Sequence, residues 1–341
     1  MLVWLATEDP DPKEELWNIE ATGGTPYYGG KILDHGINTT RGRAAGAMAN
    51  LIRSDPAYTT RFHDALDHMV VDPSVAVRSC VAEVVLVVAQ TDTSLAFRFF
   101  EKLVSADDRL LATHFVSHFI YYGMRAHFSK LRQTVERMVR SQDSRVNKHG
   151  SRLVALAALH GHDVDALVDE AFNASASHRV GIAQVAAANV ALVDCRKWCE
   201  DQLLKLFNDT DEKVRTYAAS SFRNLKGAEL ENYEDLVSAF CDSPAFETDS
   251  FALLHLLEES VCRLPGITCN VCHQFLARFS DQARDIRTGR SSDAHTMTKL
   301  VFRTYHQHQN DEWGPRCLDL IDSMCLEGLQ DVRSGMEAFD R

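Results

Sequence analysis

Apolar residues return at offsets of 0, +4, +8 and +11 in segment after segment of this chain, the spacing of one narrow stripe on a helix. Leu203 to Gly227 displays the pattern most completely. Leu203, Leu204, Leu206 and Phe207 close one helix, Asn208-Asp209-Thr210-Asp211 breaks it with side chains that cap backbone, and Val214, Ala218, Phe222 and Leu225 form the next stripe. Residues equivalent to Val214 are Thr40, Val77, Leu111, Val146 and Val180, and successive anchors are 37, 34, 35, 34 and 34 residues apart. Behind these five, the stripes read Ala44, Met48, Leu51; Val81, Val85, Val88; Phe115, Phe119, Tyr122; Gly150, Val154, Ala157; and Gln184, Ala188, Ala191. Only Gln184 is plainly polar. The +5 positions (Ala45, Ala82, Val116, Ser151, Val185 and Ala219) are small or β-branched, as closely approaching helices require. One such hairpin cannot bury its own stripe, so stacked neighbours are expected: an all-α chain, an α-solenoid of helical hairpins with a period of 34 to 37 residues.

Partner helices are predicted over 56 to 70, 92 to 105, 126 to 141, 162 to 173, 195 to 208 and 229 to 241, separated by Asp55-Pro56, Asp72-Pro73, Asp107-Asp108, Gly161 and Ser243-Pro244. The Trp, Leu-Gly, Tyr and Pro signature of tetratricopeptide repeats is missing, whereas the Asp-turn-Val-Arg starts at Asp72 to Arg78 and Asp209 to Arg215 resemble HEAT repeats. Regular HEAT-like repeats are thus expected over 39 to 244. Residues 1 to 38 lack a helical stripe of useful length and read as a linker or truncated edge, turn-rich at Thr22 to Gly30, with Trp4, Trp17, Tyr27 and Tyr28 available to cover apolar surface. Residues 245 to 341 read as diverged helical repeats and a cap, with helices at 245 to 263, 265 to 279, 294 to 308 and 314 to 327 and a charged connection at 281 to 293.

Composition narrows the function classes. The 341 residues are 45% hydrophobic and 25% charged, ordinary for a folded soluble protein. Thirty-six basic against 48 acidic residues give a net charge of −12, which repels phosphate backbones and makes nucleic acid a poor first choice of partner. Nine cysteines at irregular spacing do not form a disulfide framework, the first residues lack the basic start and long apolar run of a secretory signal, and no window reads as a membrane span. A cytoplasmic protein is expected.

Few residues point to catalysis. Cys269-Asn270-Val271-Cys272-His273 matches the haem-attachment spacing, and with Cys262 it also offers a set of zinc ligands. The haem reading requires export, and the zinc reading lacks a second Cys or His pair. The competing reading packs Cys269 and Cys272 as small apolar side chains on a helix continuing through His-Gln-Phe-Leu. Cys195 and Cys199 stand one helical turn apart, as do His114 and His118, but Phe115 replaces the glutamate that zinc peptidases place after the first histidine. No phosphate loop, dinucleotide fingerprint or nucleophile elbow occurs, so no enzyme, cofactor or metal is expected. Arg41, Arg78 and Arg215 follow their anchors and read either as a basic ladder or as arginines that bond turn acids such as Asp72 and Asp209.

The face opposite the stripe, at offsets +2, +6 and +9, contains Glu83, Thr113, Ser117, Lys148, Arg152, Thr216, Ser220 and Arg223. If these helices line a concave side, that polar face of mixed charge suits a protein partner better than a small molecule. His35 to Ile52, Asp107 to Val116 and Arg316 to Arg341 resemble the carboxy-terminal helical arm of large bacterial NTPases of the STAND class. In defence members of that class the arm recognises an intruding phage protein, so the resemblance implies a sensing role. It does not bring the activity with it, because the phosphate-binding module and an effector are absent from this sequence. The expectation is therefore a non-enzymatic protein-binding module. The alternatives are a HEAT-like nucleic-acid-binding or base-repair protein, and a haem or zinc protein using Cys269, Cys272 and His273.

Overall fold

Every regular element among the described residues is helical in the computed structural model, which describes residues 1–14, 17, 31–105, 107–260, 263–285, 287–329, 332, 333, 335 and 336. The chain divides into two compact units, Met1–Asn173 and Ala174–Arg341, so the division falls inside the stretch expected to be one regular array. Tyr27, Tyr28 and the glycine-rich 22–30 stretch lie outside the described residues.

The first unit contains α1 (Leu2–Thr7), α2 (Ile32–Gly36), α3 (Thr40–Ser54), α4 (Ala57–Arg61), α5 (His63–Met69), α6 (Val75–Val88), α7 (Thr93–Leu103), α8 (His114–Val139), α9 (Ser144–Leu159) and α10 (Asp165–Asn173). Its stripe-bearing helices pack in sequence, α3 on α6, α6 on α8 and α8 on α9. Small polar residues start them: Thr39, Ser74 and Asp143 accept hydrogen bonds from the first-turn amides of α3, α6 and α9. Gly161, at φ +77°, ends α9 in a Schellman turn in which the amides of Gly161 and His162 donate to the carbonyls of Ala158 and Ala157.

Short helices precede the expected array, and the third hairpin of this unit departs from its expected form. Residues 1 to 38 include two helices, α1 and α2, each too short to show a stripe, and α1 packs against α3 and α5. The segment after α1 is anchored as well: Asp11 accepts from the amide and hydroxyl of Thr40, Trp17 donates to the Pro12 carbonyl, and the Arg41 guanidinium lies 5.8 Å from the Trp17 ring. The third hairpin is also different. Leu111 sits in a 3₁₀ turn, Asp108–Ala112, and α8 runs through the expected break to Val139, bent where His127 leaves helical geometry (φ −135°, ψ 25°). Met124, Arg125 and Ala126 favour helix and carry no stop signal. The buried stripe of α8 is consequently Val116, Phe119, Ile120 and Met124, and Tyr122 is 67% exposed.

The second unit contains α11 (Ala176–Asn189), α12 (Arg196–Leu206), α13 (Glu212–Ala219), α14 (Glu234–Asp242), α15 (Ala245–Thr248), α16 (Phe251–Glu259), α17 (Pro265–Ala283), α18 (Gly289–His308) and α19 (Trp313–Leu326). Val214, Ala218, Phe222 and Leu225 are all buried, although α13 ends at Ala219 and a 3₁₀ turn carries the stripe onward. Phe222 meets Phe240 at a ring separation of 4.6 Å. The stripe of α11 is rotated from its expected face: Ile182, Ala183, Ala186 and Val190 are buried, while Ala188 is exposed. All six +5 residues are buried.

One arrangement occurs in both units. Arg41 makes a bidentate pair with Asp72, and Arg179 makes one with Asp209. Each aspartate also accepts the amide two residues on, and Arg78 and Arg215 fold back to donate to the carbonyls of Asp72 and Asp209. The recurrent arginines therefore hold turns together rather than forming a basic ladder.

Candidate functional site

Helices α8 and α9 carry the most informative surface. They approach closely because Gly150 faces Met138 and Val139, where a Cβ would stand 2.7 Å from the Val139 nitrogen. At the start of α8 their contact opens into a cleft of about 350 Å³ lined by Lys31 and Asp34, by Arg109, Thr113 and His114, and by Arg145, Lys148 and His149 of α9. Three of its cations have acidic neighbours: Lys31 pairs with Asp34, Arg109 with Asp107 and Arg145 with Asp143. Lys148 makes no ion pair among the described residues, and neither does Arg152, exposed one turn further along α9.

His149 sits beside these two charges. Its burial, with Arg152 and Lys148 close by, pushes the imidazole down to about 4, so the ring is neutral at pH 7. Its Nδ1 lies 3.4 Å from Ser117 Oγ on α8. The cleft also borders the start of α8, whose N-cap residue Thr113 makes no side-chain cap hydrogen bond. Two cations without an ion pair among the described residues, a neutral imidazole and the N-terminal end of α8 form a setting that favours an incoming anion.

A second depression, about 530 Å³, lies further along α8 and is lined by Phe97, His118, Phe119, Tyr122, Gly123 and His127 together with residues of α6 and α7. Phe97 meets Phe119 and His127 edge to face at 5.2 and 5.4 Å. This aromatic pocket is joined to the cleft by a ladder of rings. His114 lies 4.0 Å from His118, and His118 lies 5.8 Å from Tyr122, one helical turn per step. Burial, reinforced by His114, lowers the His118 pKa.

Of the eight residues on the anticipated binding face, four gather here. Ser117, Lys148 and Arg152 surround His149, whereas Thr113 is buried, with its hydroxyl donating to the Leu110 carbonyl, and presents no exposed group. Glu83 lies apart on α6, paired with Arg53 at 3.1 Å. In the second unit Thr216 and Ser220 donate to the carbonyls of Glu212 and Tyr217, and Arg223 pairs with Asp249 at 2.5 Å. Those three side chains are already engaged locally. The sequence pattern missed His149, which is one residue from Lys148 but becomes special only when Ser117 is brought to it, and Tyr122, which it assigned to the buried stripe.

The Cys269 to His273 motif lies on α17. Cys272 is completely buried and Cys269 nearly so, while His273 is exposed, so the three side chains do not converge on one ligand. Cys262 lies outside the described residues. Among the described residues no three His, Cys, Asp or Glu side chains form a metal-holding group, and no helix is long and apolar enough to cross a membrane. No protein-family model matches the chain, and comparison with curated proteins and with solved structures finds no match.

Proposed function

We propose that the chain is a non-enzymatic, HEAT-like α-solenoid module that binds an extended, acidic segment of a partner protein along α8 and α9. The observation that carries this reading is that Lys148, which lines the cleft, and Arg152, exposed one turn further along α9, flank a neutral His149 and make no ion pair among the described residues, in a chain whose net charge is −12. Carboxylates of the partner would enter this cleft, and an aromatic or aliphatic side chain would enter the Phe97–Phe119 pocket. From His114 to Tyr122 the helix advances roughly 12 Å, the span of about four residues of extended peptide. The favoured segment therefore carries its acidic group and its apolar group about four residues apart. The repeated Arg–Asp turn arrangement of the two units supports the helical-repeat reading. The resemblance of 35 to 52 and 316 to 341 to STAND-class arms gives the partner a class, an intruding protein sensed in a bacterial cytoplasm.

A fluorescein-labelled peptide with three glutamates followed, four residues on, by tryptophan tests the reading by fluorescence anisotropy. Saturable, salt-sensitive binding is expected, weakened at least tenfold by Lys148→Glu with Arg152→Glu and by Tyr122→Ala, and unchanged by Arg223→Glu. Absence of saturable binding, or equal binding by the double charge reversal, overturns it.

A further inference from the structure

Helices α17 and α19 bring two thiols together that the binding surface does not use. Cys269 Sγ on α17 and Cys317 Sγ on α19 lie 3.7 Å apart, in hydrogen-bond contact. They face different surroundings. Cys269 borders a groove of about 440 Å³ shared with His273, Arg316 and Asp319, whereas Cys317 is fully buried behind it. One sulfur is thus reachable by a small solute and the other only by the first sulfur.

The electrostatics reinforce this asymmetry. The hydrogen bond from Cys317, aided by the charges of Arg316 and His308, lowers the Cys269 pKa against the opposing effect of burial. Cys317 is raised in turn by the same contact and by burial. Burial pushes Cys80, Cys199 and Cys241 up to about 12, and Cys272 is raised as well, so these four stay protonated and inert.

We propose that Cys269 and Cys317 are a peroxide-reactive dithiol, with Cys269 the attacking sulfur and Cys317 the resolving one. The Cys269 thiolate attacks one oxygen of hydrogen peroxide, the O–O bond breaks, and the departing hydroxide takes a proton to become water. Cys269 is then a sulfenic acid. The Cys317 sulfur attacks it, the S–S bond forms as the S–O bond breaks, and the proton of Cys317 leaves with the hydroxide as a second water. Two thiols and one peroxide become one disulfide and two waters, with two electrons passing from sulfur to oxygen. The sulfurs must close from 3.7 Å to about 2.0 Å, within reach of side-chain rotation and a small shift of the two helices.

The test uses the full chain with exposed Cys325 replaced by serine, treated with hydrogen peroxide, alkylated under denaturing conditions and digested for mass spectrometry. A peptide cross-link between Cys269 and Cys317 is expected, reversed by dithiothreitol, with Cys241 and Cys272 alkylated as free thiols. Replacing Cys317→Ser should leave Cys269 as a sulfenic acid that dimedone labels. Recovery of both thiols unoxidised, a Cys269–Cys272 bond in place of the expected one, or oxidation of Cys269 without cross-linking in the chain that retains Cys317 overturns the proposal. The cross-link is read in a chain with both reactive thiols intact, so the outcome does not depend on whether the serine variant folds.

Discussion

Two glycines on stripe-bearing helices should respond oppositely to the same methyl group. Gly150 on α9 faces the end of α8, where an added Cβ would lie 2.7 Å from the Val139 nitrogen and 2.8 Å from the carbonyl carbon and Cβ of Met138. These are mostly backbone atoms, which cannot rotate away, so the helices must separate. Overpacking of this kind costs about 3 kcal/mol at its upper end. Alanine recovers about 1 kcal/mol of helix propensity, leaving a net loss of about 2 kcal/mol for Gly150→Ala. Gly46 on α3 has nothing within 4 Å of its virtual Cβ, so Gly46→Ala should gain about 1 kcal/mol from propensity alone. Urea unfolding of the full chain followed by circular dichroism measures both, with the slope m checked for constancy so that the midpoint reports stability. Because α8 and α9 build the cleft, Gly150→Ala should also weaken peptide binding, while Gly46→Ala leaves it unchanged. Equal stabilisation by the two substitutions would refute the close approach of α8 and α9.

Other consequences follow from the same contacts. Asp72→Ala leaves the buried Arg41 guanidinium without its bidentate partner and should cost about 3 to 5 kcal/mol, seen as a lowered urea midpoint. His149 is depressed to about 4 in the folded chain, so its stability contribution is complete above its ordinary value of 6.5 and is lost as pH falls from 6.5 towards 4. The loss is at most about 3 kcal/mol, less what solvent screening removes, and unfolding at stepped pH with a His149→Gln control measures it. Oxidising Cys269 and Cys317 closes a loop of 48 residues, and the chain-entropy model puts the stabilisation of the disulfide form at up to about 4 kcal/mol, read as a higher melting temperature that dithiothreitol reverses.

The helices were legible where sequence neighbours decide the structure. Asp211, read in the sequence as part of a capping turn, caps a helix because a short polar side chain reaches amides two or three residues ahead, and Gly161 ends one because it tolerates positive φ; Thr39, Ser74 and Asp143 cap in the same way without having been singled out. The Val214 stripe was legible for the same reason, since burial of one face follows from a period of 3.6. The third hairpin was not. Its apolar residues 115, 116, 119, 120, 122 and 124 fit two overlapping stripes, and the choice between them is made by which face packs on α6 and α9, a tertiary contact that no local pattern encodes. Tyr122 was misassigned on that account, and the aromatic ladder from His114 went unseen. Lys148 and Arg152 were found by their helical offset. The remainder of the cleft draws on residues as distant as Lys31 and Arg109, whose meeting no local pattern encodes.

The histidine at the centre of the cleft gives the most direct reading of the proposed binding. NMR titration of His149, free and saturated with the glutamate–tryptophan peptide, should show a pKa of about 4 in the free chain and a rise of at least one unit when carboxylates neutralise Lys148 and Arg152. The peptide's own glutamates titrate in the same interval, at about 4.3, so the shift of His149 and not the affinity is the readout. A His149 that titrates at its ordinary value in the free chain, or one whose titration the peptide leaves unmoved, would contradict the account.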